Sequence, residues 1–193
     1  IKAPVFSMAK LTGVDTYLGP EMKSTGEVMG IDYSFDAALA KALIASGLKL
    51  PSAGSVLLSI ADRDKPEALP IIKKLQTINY QLYATEGTAN MMEALNIPVT
   101  MITKKLGAGH PNVVDIIRDG TAKAVLNTAS GGRTPLMDGF QIRRAAVEKN
   151  IPCFTSLDTA RAAAEALANG SQPYVVQPLQ EYLKRQPDPG KRD

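Results

Sequence analysis

Residues Tyr80–Leu95 read YQLYATEGTANMMEAL. The opening YQLYAT has the aromatic and hydroxyl-bearing make-up of a strand, and TANMMEAL reads as a helix. Between them, Gly87 stands between Thr85 and Thr88. Such a junction is either a plain turn or a cradle for phosphate, since the first N–H groups of a helix have no partner inside it. The same alternation recurs on both sides. SVLLSIA (Ser55–Ala61) precedes KPEALPIIKKLQTIN, in which Leu69, Ile72 and Leu75 are spaced helically. PVTMIT precedes NVVDIIRDG, AKAVLNT precedes DGFQIRRAAVEKN, and PCFTS precedes LDTARAAAEALAN. Five strand–helix units in succession predict an α/β doubly wound domain, a parallel sheet with helices on both faces, from about Ser52 to Ala168. The first and fourth strands are nearly all apolar, as strands buried on both faces should be. Asp158 and Thr159 are the expected caps of the last helix, and Gly170 its stop.

The flanks differ. An amphipathic helix is expected from Ser34 to Ser46, with Ser34 as its cap but Ala37 where a capping box needs an acid. GLKLPSAG is a linker, and PLQEYLKRQPDPGKRD is expected to fray into proline and charge. The resulting division is 1–50, 51–170 and 171–193. The 193 residues, 45% hydrophobic and 21% charged, are those of an ordinary globular protein. A net charge of +3 without a basic run argues against nucleic acid. No segment approaches the roughly 20 apolar residues of a membrane span. The single cysteine, Cys153, rules out an internal disulfide and a cysteine-based zinc site, and suits a reducing, cytoplasmic compartment. The opening IKAPVF has no signal-peptide pattern and no initiator Met, so a piece of a longer chain is expected.

In open parallel sheets, ligands sit beyond the carboxyl ends of the strands, near the point where strand order reverses. Those ends offer Ser59 and Lys65, Thr85 and Thr88, Lys104 and Lys105, then Asn127, Thr128 and Ser130, and finally Thr155 and Ser156. Lysine gives phosphate a point charge, and hydroxyls add hydrogen bonds. Each residue also has a plain reading: threonine and serine cap strand ends, Gly87 can serve a turn, and lysines can face water. Their convergence at five strand ends points to a phosphorylated small molecule. His110, the only histidine, is expected in a plain loop, Cys153 as a small buried hydrophobe, and Arg143 with Arg144 as a surface or interface pair.

Two sets of motifs carry a resemblance. LGPEMKSTGEVMG (Leu18–Gly30) resembles the end of the second ATP-grasp half of the carbamoyl-phosphate synthetase large-subunit family. ATEGTA, NTASGGR, QIRRAAVEKNIP and TSLDTARAAAEAL resemble that family's C-terminal methylglyoxal-synthase-like domain. The resemblance runs to about Leu167. It implies a five-stranded parallel sheet of order 3-2-1-4-5 in a three-layer α/β/α domain. It also implies allosteric control, by UMP as inhibitor or IMP as activator, of a glutamine-dependent ligase of pyrimidine and arginine biosynthesis. That parent would use ATP with Mg or Mn, work with a glutaminase small subunit, and form oligomers; this fragment would hold no cofactor and no catalytic or metal site.

Carried residue by residue, the family's nucleotide site falls on Lys65, Thr85, Thr88, Lys104 and Asn127, with Ser59, Gly87 and Ser130 beside them. Thr155 matches a position that couples nucleotide and ornithine sites. Ala129 replaces a threonine of some members, and losing one hydroxyl contact costs on the order of 1 kcal/mol. Ala3 stands for a glutamate and Cys153 for a tyrosine of enteric members, which argues against ornithine activation. Two alternatives remain: a methylglyoxal-synthase-type lyase and a ligand-free interaction module. The lyase needs a carboxylate base and a histidine; His110 occupies the place of the aspartate, and Leu136 and Met137 that of the histidine.

Overall fold

The computed structural model describes residues 1–11, 13–104, 109–129, 133–168 and 175–184, with the backbone alone for residues 133–138. Five parallel strands, β3 (Ser55–Ser59), β4 (Gln81–Thr85), β5 (Thr100–Ile102), β6 (Ala124–Asn127) and β7 (Cys153–Phe154), form one sheet in the order β5-β4-β3-β6-β7. This is the expected 3-2-1-4-5 order. Every residue of β3 and β6 is buried.

Alternation along β3 divides the core. Val56 and Leu58 face α2 (Lys65–Thr77), α3 (Glu86–Ala94) and α6 (Leu157–Ala168), while Leu57 faces α4 (Val113–Arg118) and α5 (Arg133–Glu148). Strand period 2 thus feeds two helical layers from one run of apolar residues. The chain winds from β3 through β4 to β5, then crosses back to β6 and β7. Strand order therefore reverses between β3 and β6, where Ser59 pairs with Asn127.

Three boundaries depart from the sequence reading. α3 begins at Glu86 rather than Thr88, so Gly87 lies inside the first helical turn. α5 begins at Arg133, upstream of the expected Asp138. α6 starts at Leu157, and the Ala160 N–H already bonds the Ser156 carbonyl, which puts the cap at Ser156 and not at Asp158 or Thr159.

The residues before the sheet pair β1 (Lys2–Val5) with β2 (Gly26–Met29) antiparallel. α1 (Phe35–Ala45) follows, with the Ser34 hydroxyl accepting from the Ala37 N–H at 3.2 Å as expected, and packs on α6. Gly30 is obligatory here: a Cβ would lie 2.0 Å from the Ala38 carbonyl oxygen. Near the other end, α7 (Leu179–Lys184) docks where fraying is expected from its sequence. Lys41 Nζ donates to the Val175 carbonyl and the Tyr182 hydroxyl, each at 2.8 Å, and pairs with Asp32. One buried-stem lysine on α1 thereby holds the far end of the chain.

Candidate functional site

β3, β4 and β6 all terminate around the reversal point, and their ends enclose a cleft of about 540 Å³ open to solvent. Its lining comprises Ser59, Ile60 and Ala61 after β3, Thr85 to Thr88 at the β4–α3 junction, Lys104 after β5 and Thr128 after β6. Thr85 precedes α3 in extended conformation and makes no side-chain capping bond. The first turn of α3, Glu86 to Thr88, lines the cleft and has no side-chain acceptor from that cap, and the helix dipole adds positive potential there. Lys104, half-buried, lines the same cleft. Glu86 stands at the rim and carries the opposite sign, which favours the helix end but opposes an anion directly over it.

The walls are held by hydrogen bonds between loops. Thr88 Oγ1 accepts from the Ile60 N–H at 3.1 Å, and Thr128 Oγ1 accepts from the Ala61 N–H at 2.8 Å. Both hydroxyls are buried, so their first task is to satisfy the turn after β3.

Of the residues singled out from sequence, Ser59, Thr85, Gly87, Thr88 and Lys104 line the cleft together. Lys65 is drawn aside. Its Nζ donates to the Gly87 carbonyl at 2.5 Å and pairs with Asp62 at 2.6 Å, tying the start of α2 to the start of α3. A Cβ on Gly87 would lie 3.4 Å from that ammonium, an ordinary contact, so this bond does not depend on the glycine. Lys65 in turn holds the Asp62 carboxyl below the usual range.

Asn127 is engaged beneath the cleft floor. Its Nδ2 donates to the Ser59 carbonyl at 3.3 Å, and its Oδ1 accepts from Arg143 at 2.6 Å. Thr155 is half-buried beyond β7, outside the cleft lining. Ser130 and Lys105 lie outside the described residues. Thr128, noted among the strand-end hydroxyls but passed over for Asn127, lines the cleft instead. Side chains alternate across β6, so of two neighbours only one reaches the floor from above.

Arg143 corrects the surface reading. It is 1% exposed, bonded to Asn127 on one side and Asp15 on the other. Arg144 is also largely covered, with its side chain 12% exposed, and its Nη1 donates to the Met8 and Leu11 carbonyls at 3.2 and 2.9 Å. Desolvation pushes the Cys153 thiol pKa up to about 12, with the Arg143 charge opposing and the Asp15 charge adding, and the partly buried side chain packs as a small hydrophobe against the α4–α5 core. His110 Nδ1 lies 2.5 Å from Asp115, whose carboxyl also closes a capping box with Asn112 at the start of α4. Among the described residues, no group of three or more His, Cys, Asp or Glu side chains could hold a metal ion, and no helix is long and apolar enough to cross a membrane.

A parallel five-stranded sheet wound on both faces, with a cleft at its reversal point, defines the class of doubly wound α/β domains. Residues 67–155 match the family description of the MGS-like domain. Over 186 residues the chain is 51% identical to the carbamoyl phosphate synthase large chain of Thermomicrobium roseum. Residues 67–155 thus form an MGS-like domain, in a chain that is similar over nearly its whole length to one stretch of a carbamoyl phosphate synthase large chain. The match takes in 96% of this chain and 17% of that relative's length.

Proposed function

We propose that this chain carries the effector-binding module of a carbamoyl phosphate synthase large chain, and that the cleft takes the phosphate of a nucleoside monophosphate such as UMP or IMP. One observation carries the reading: Lys104 and the start of α3, which has no side-chain cap, line the same cleft at the reversal point. A phosphate seated there accepts bonds from the first-turn N–H groups while Lys104 neutralises its charge. The hydroxyls of Thr85 and Ser59 add donors on the floor. Lys65 joins the ligand only by exchanging its present bonds to Gly87 and Asp62, so its contribution is an exchange and not a gain. Asn127 acts from below the floor, and Ser130 and Thr155 complete the proposed set.

The parent reaction follows from the same reading. It is an ATP-dependent ligase, using Mg or Mn and a glutaminase small subunit, in the cytoplasmic synthesis of pyrimidines and arginine. No residue of this chain is assigned to its chemistry. Nucleotide binding shifts activity through unequal affinity for two packings of this module against the rest of the large subunit, typically by roughly 1–3 kcal/mol of coupling.

Calorimetry with UMP, IMP, ornithine and dihydroxyacetone phosphate tests the reading. Heat with UMP or IMP, lost at least tenfold in affinity in Lys104→Ala with its melting temperature unchanged, supports it. Turnover of the triose phosphate supports a lyase instead, and silence with all four supports an interaction module.

A further inference from the structure

Beneath the cleft floor, a hydrogen-bond chain leaves the sheet and ends in the N-terminal segment. The Thr128 N–H donates to the Ser59 carbonyl at 3.1 Å, and the Asn127 amide donates to that same oxygen. Asn127 then accepts from Arg143 Nη1 at 2.6 Å. The other edge of the guanidinium grips the Asp15 carboxylate with two bonds, one from Nε at 2.6 Å and one from Nη2. Asp15 in turn accepts from the Tyr17 N–H at 3.0 Å, and the Tyr17 ring lies 5.8 Å from the Arg143 guanidinium carbon. Space for this crossing is made by Gly139, where a Cβ would fall 2.6 Å from Arg143 Nη1 and 3.3 Å from Asn127 Oδ1.

The chemistry favours an obligate link. A buried charge is tolerated only when paired and hydrogen-bonded, and the planar guanidinium is the side chain able to serve an amide on one edge and a carboxylate on the other. If the floor shifts, Asn127 shifts, and Arg143 cannot follow it without loosening Asp15. Hydrogen-bond networks with two arrangements are one physical carrier of coupling between sites.

We propose that Arg143 is a positioning residue that couples occupancy of the cleft to docking of the segment around Asp15 and Tyr17. The inference rests on the effector reading above. Linkage makes it reciprocal: what tightens the segment must tighten the ligand by the same factor.

Amide hydrogen exchange at Leu11 and Tyr17, with and without saturating UMP, tests it on this chain. In the wild type, UMP is expected to slow both amides at least about fivefold, the lower end of typical coupling. Asp15→Asn is expected to abolish that slowing and weaken UMP by a similar factor, while Asp15→Glu, which keeps the carboxylate, restores both. Arg143→Lys, which cannot bridge two edges, is expected to behave as Asp15→Asn and supplies a second variant should that one unfold. UMP binding to the wild type with unchanged exchange at Tyr17, or wild-type affinity in Asp15→Asn, overturns the coupling and leaves the effector reading standing. Absence of both UMP and IMP binding to the wild type removes the effector reading and the coupling with it; if IMP alone binds, the same comparison is made with saturating IMP, and unchanged exchange at Tyr17 again overturns the coupling.

Discussion

The sheet and the N-terminal segment are secured in opposite ways. β3, β4 and β6 are held by many apolar contacts, none of them individually decisive, shared between two cores. The segment around Met8, Asp15 and Tyr17 buries the Met8 side chain and otherwise depends on a few polar bonds, most of them from two adjacent arginines of α5, with Lys23 donating to the Asp15 and Tyr17 carbonyls. Apolar packing is non-directional and redundant, so it tolerates partial loss in proportion to area. A charged clamp is directional, and removing one partner leaves the other buried and unpaired. The sheet should therefore fail globally and by degrees, and the segment locally and abruptly.

The largest effect should come from the sheet. Leu57 is fully buried on the central strand, and Leu57→Ala should destabilise the whole domain by about 2–5 kcal/mol, seen as a lower denaturant midpoint. A loss below 1 kcal/mol would mean that the α4–α5 core collapses into the space and that packing there is not decisive.

The clamp is sharpened by a smaller change. In an ordinary helix Gly→Ala gains up to about 1 kcal/mol. At Gly139 the added methyl meets Arg143 and Asn127, and overpacking of roughly 1–3 kcal/mol should reverse the sign. Gly139→Ala is expected to lower the melting temperature by a few degrees and to speed exchange at Tyr17; a higher melting temperature would show that Arg143 yields freely.

Acid gives the smallest and most selective effect. Burial raises the Asp15 carboxyl, but the bonds and charge of Arg143, with the Tyr17 N–H, outweigh it and hold the pKa below 3.8. A depressed carboxylate pKa contributes stability above the unfolded value, lost as pH falls through the folded one. Docking of the segment is thus complete at neutral pH and should weaken only below about pH 4, the unfolded range of aspartate. Tryptic or exchange mapping from pH 7 to pH 3 should show Tyr17 released ahead of β3; release beginning at pH 5 or 6 would assign the clamp to other groups.

Element by element, legibility followed the range of the forces. The five strands were readable because apolar runs of period 2 and helices of period 3.6 are local patterns, whereas their order was expected only from the family resemblance, since no local pattern encodes which strands lie side by side. Cap positions were less so, since Ser156 and Asp158 differ only in where the helix happens to start. The clustering of Ser59, Thr85, Gly87, Thr88 and Lys104 was expected from strand ends alone. The withdrawal of Lys65 onto Gly87 and Asp62 was not, because a flexible four-carbon stem reaches whichever acceptor the fold supplies.

Sequence alone determined that this chain makes a doubly wound sheet whose carboxyl edge gathers hydroxyls and lysines, because those properties repeat with a fixed spacing along the chain. Only the tertiary structure decided that Arg143 is buried and bridges Asn127 to Asp15, which precedes the arginine by 128 positions along the chain. No periodicity encodes such a contact; it exists because α5 lies between the floor of the cleft and the N-terminal segment, and a buried guanidinium must find partners on both sides.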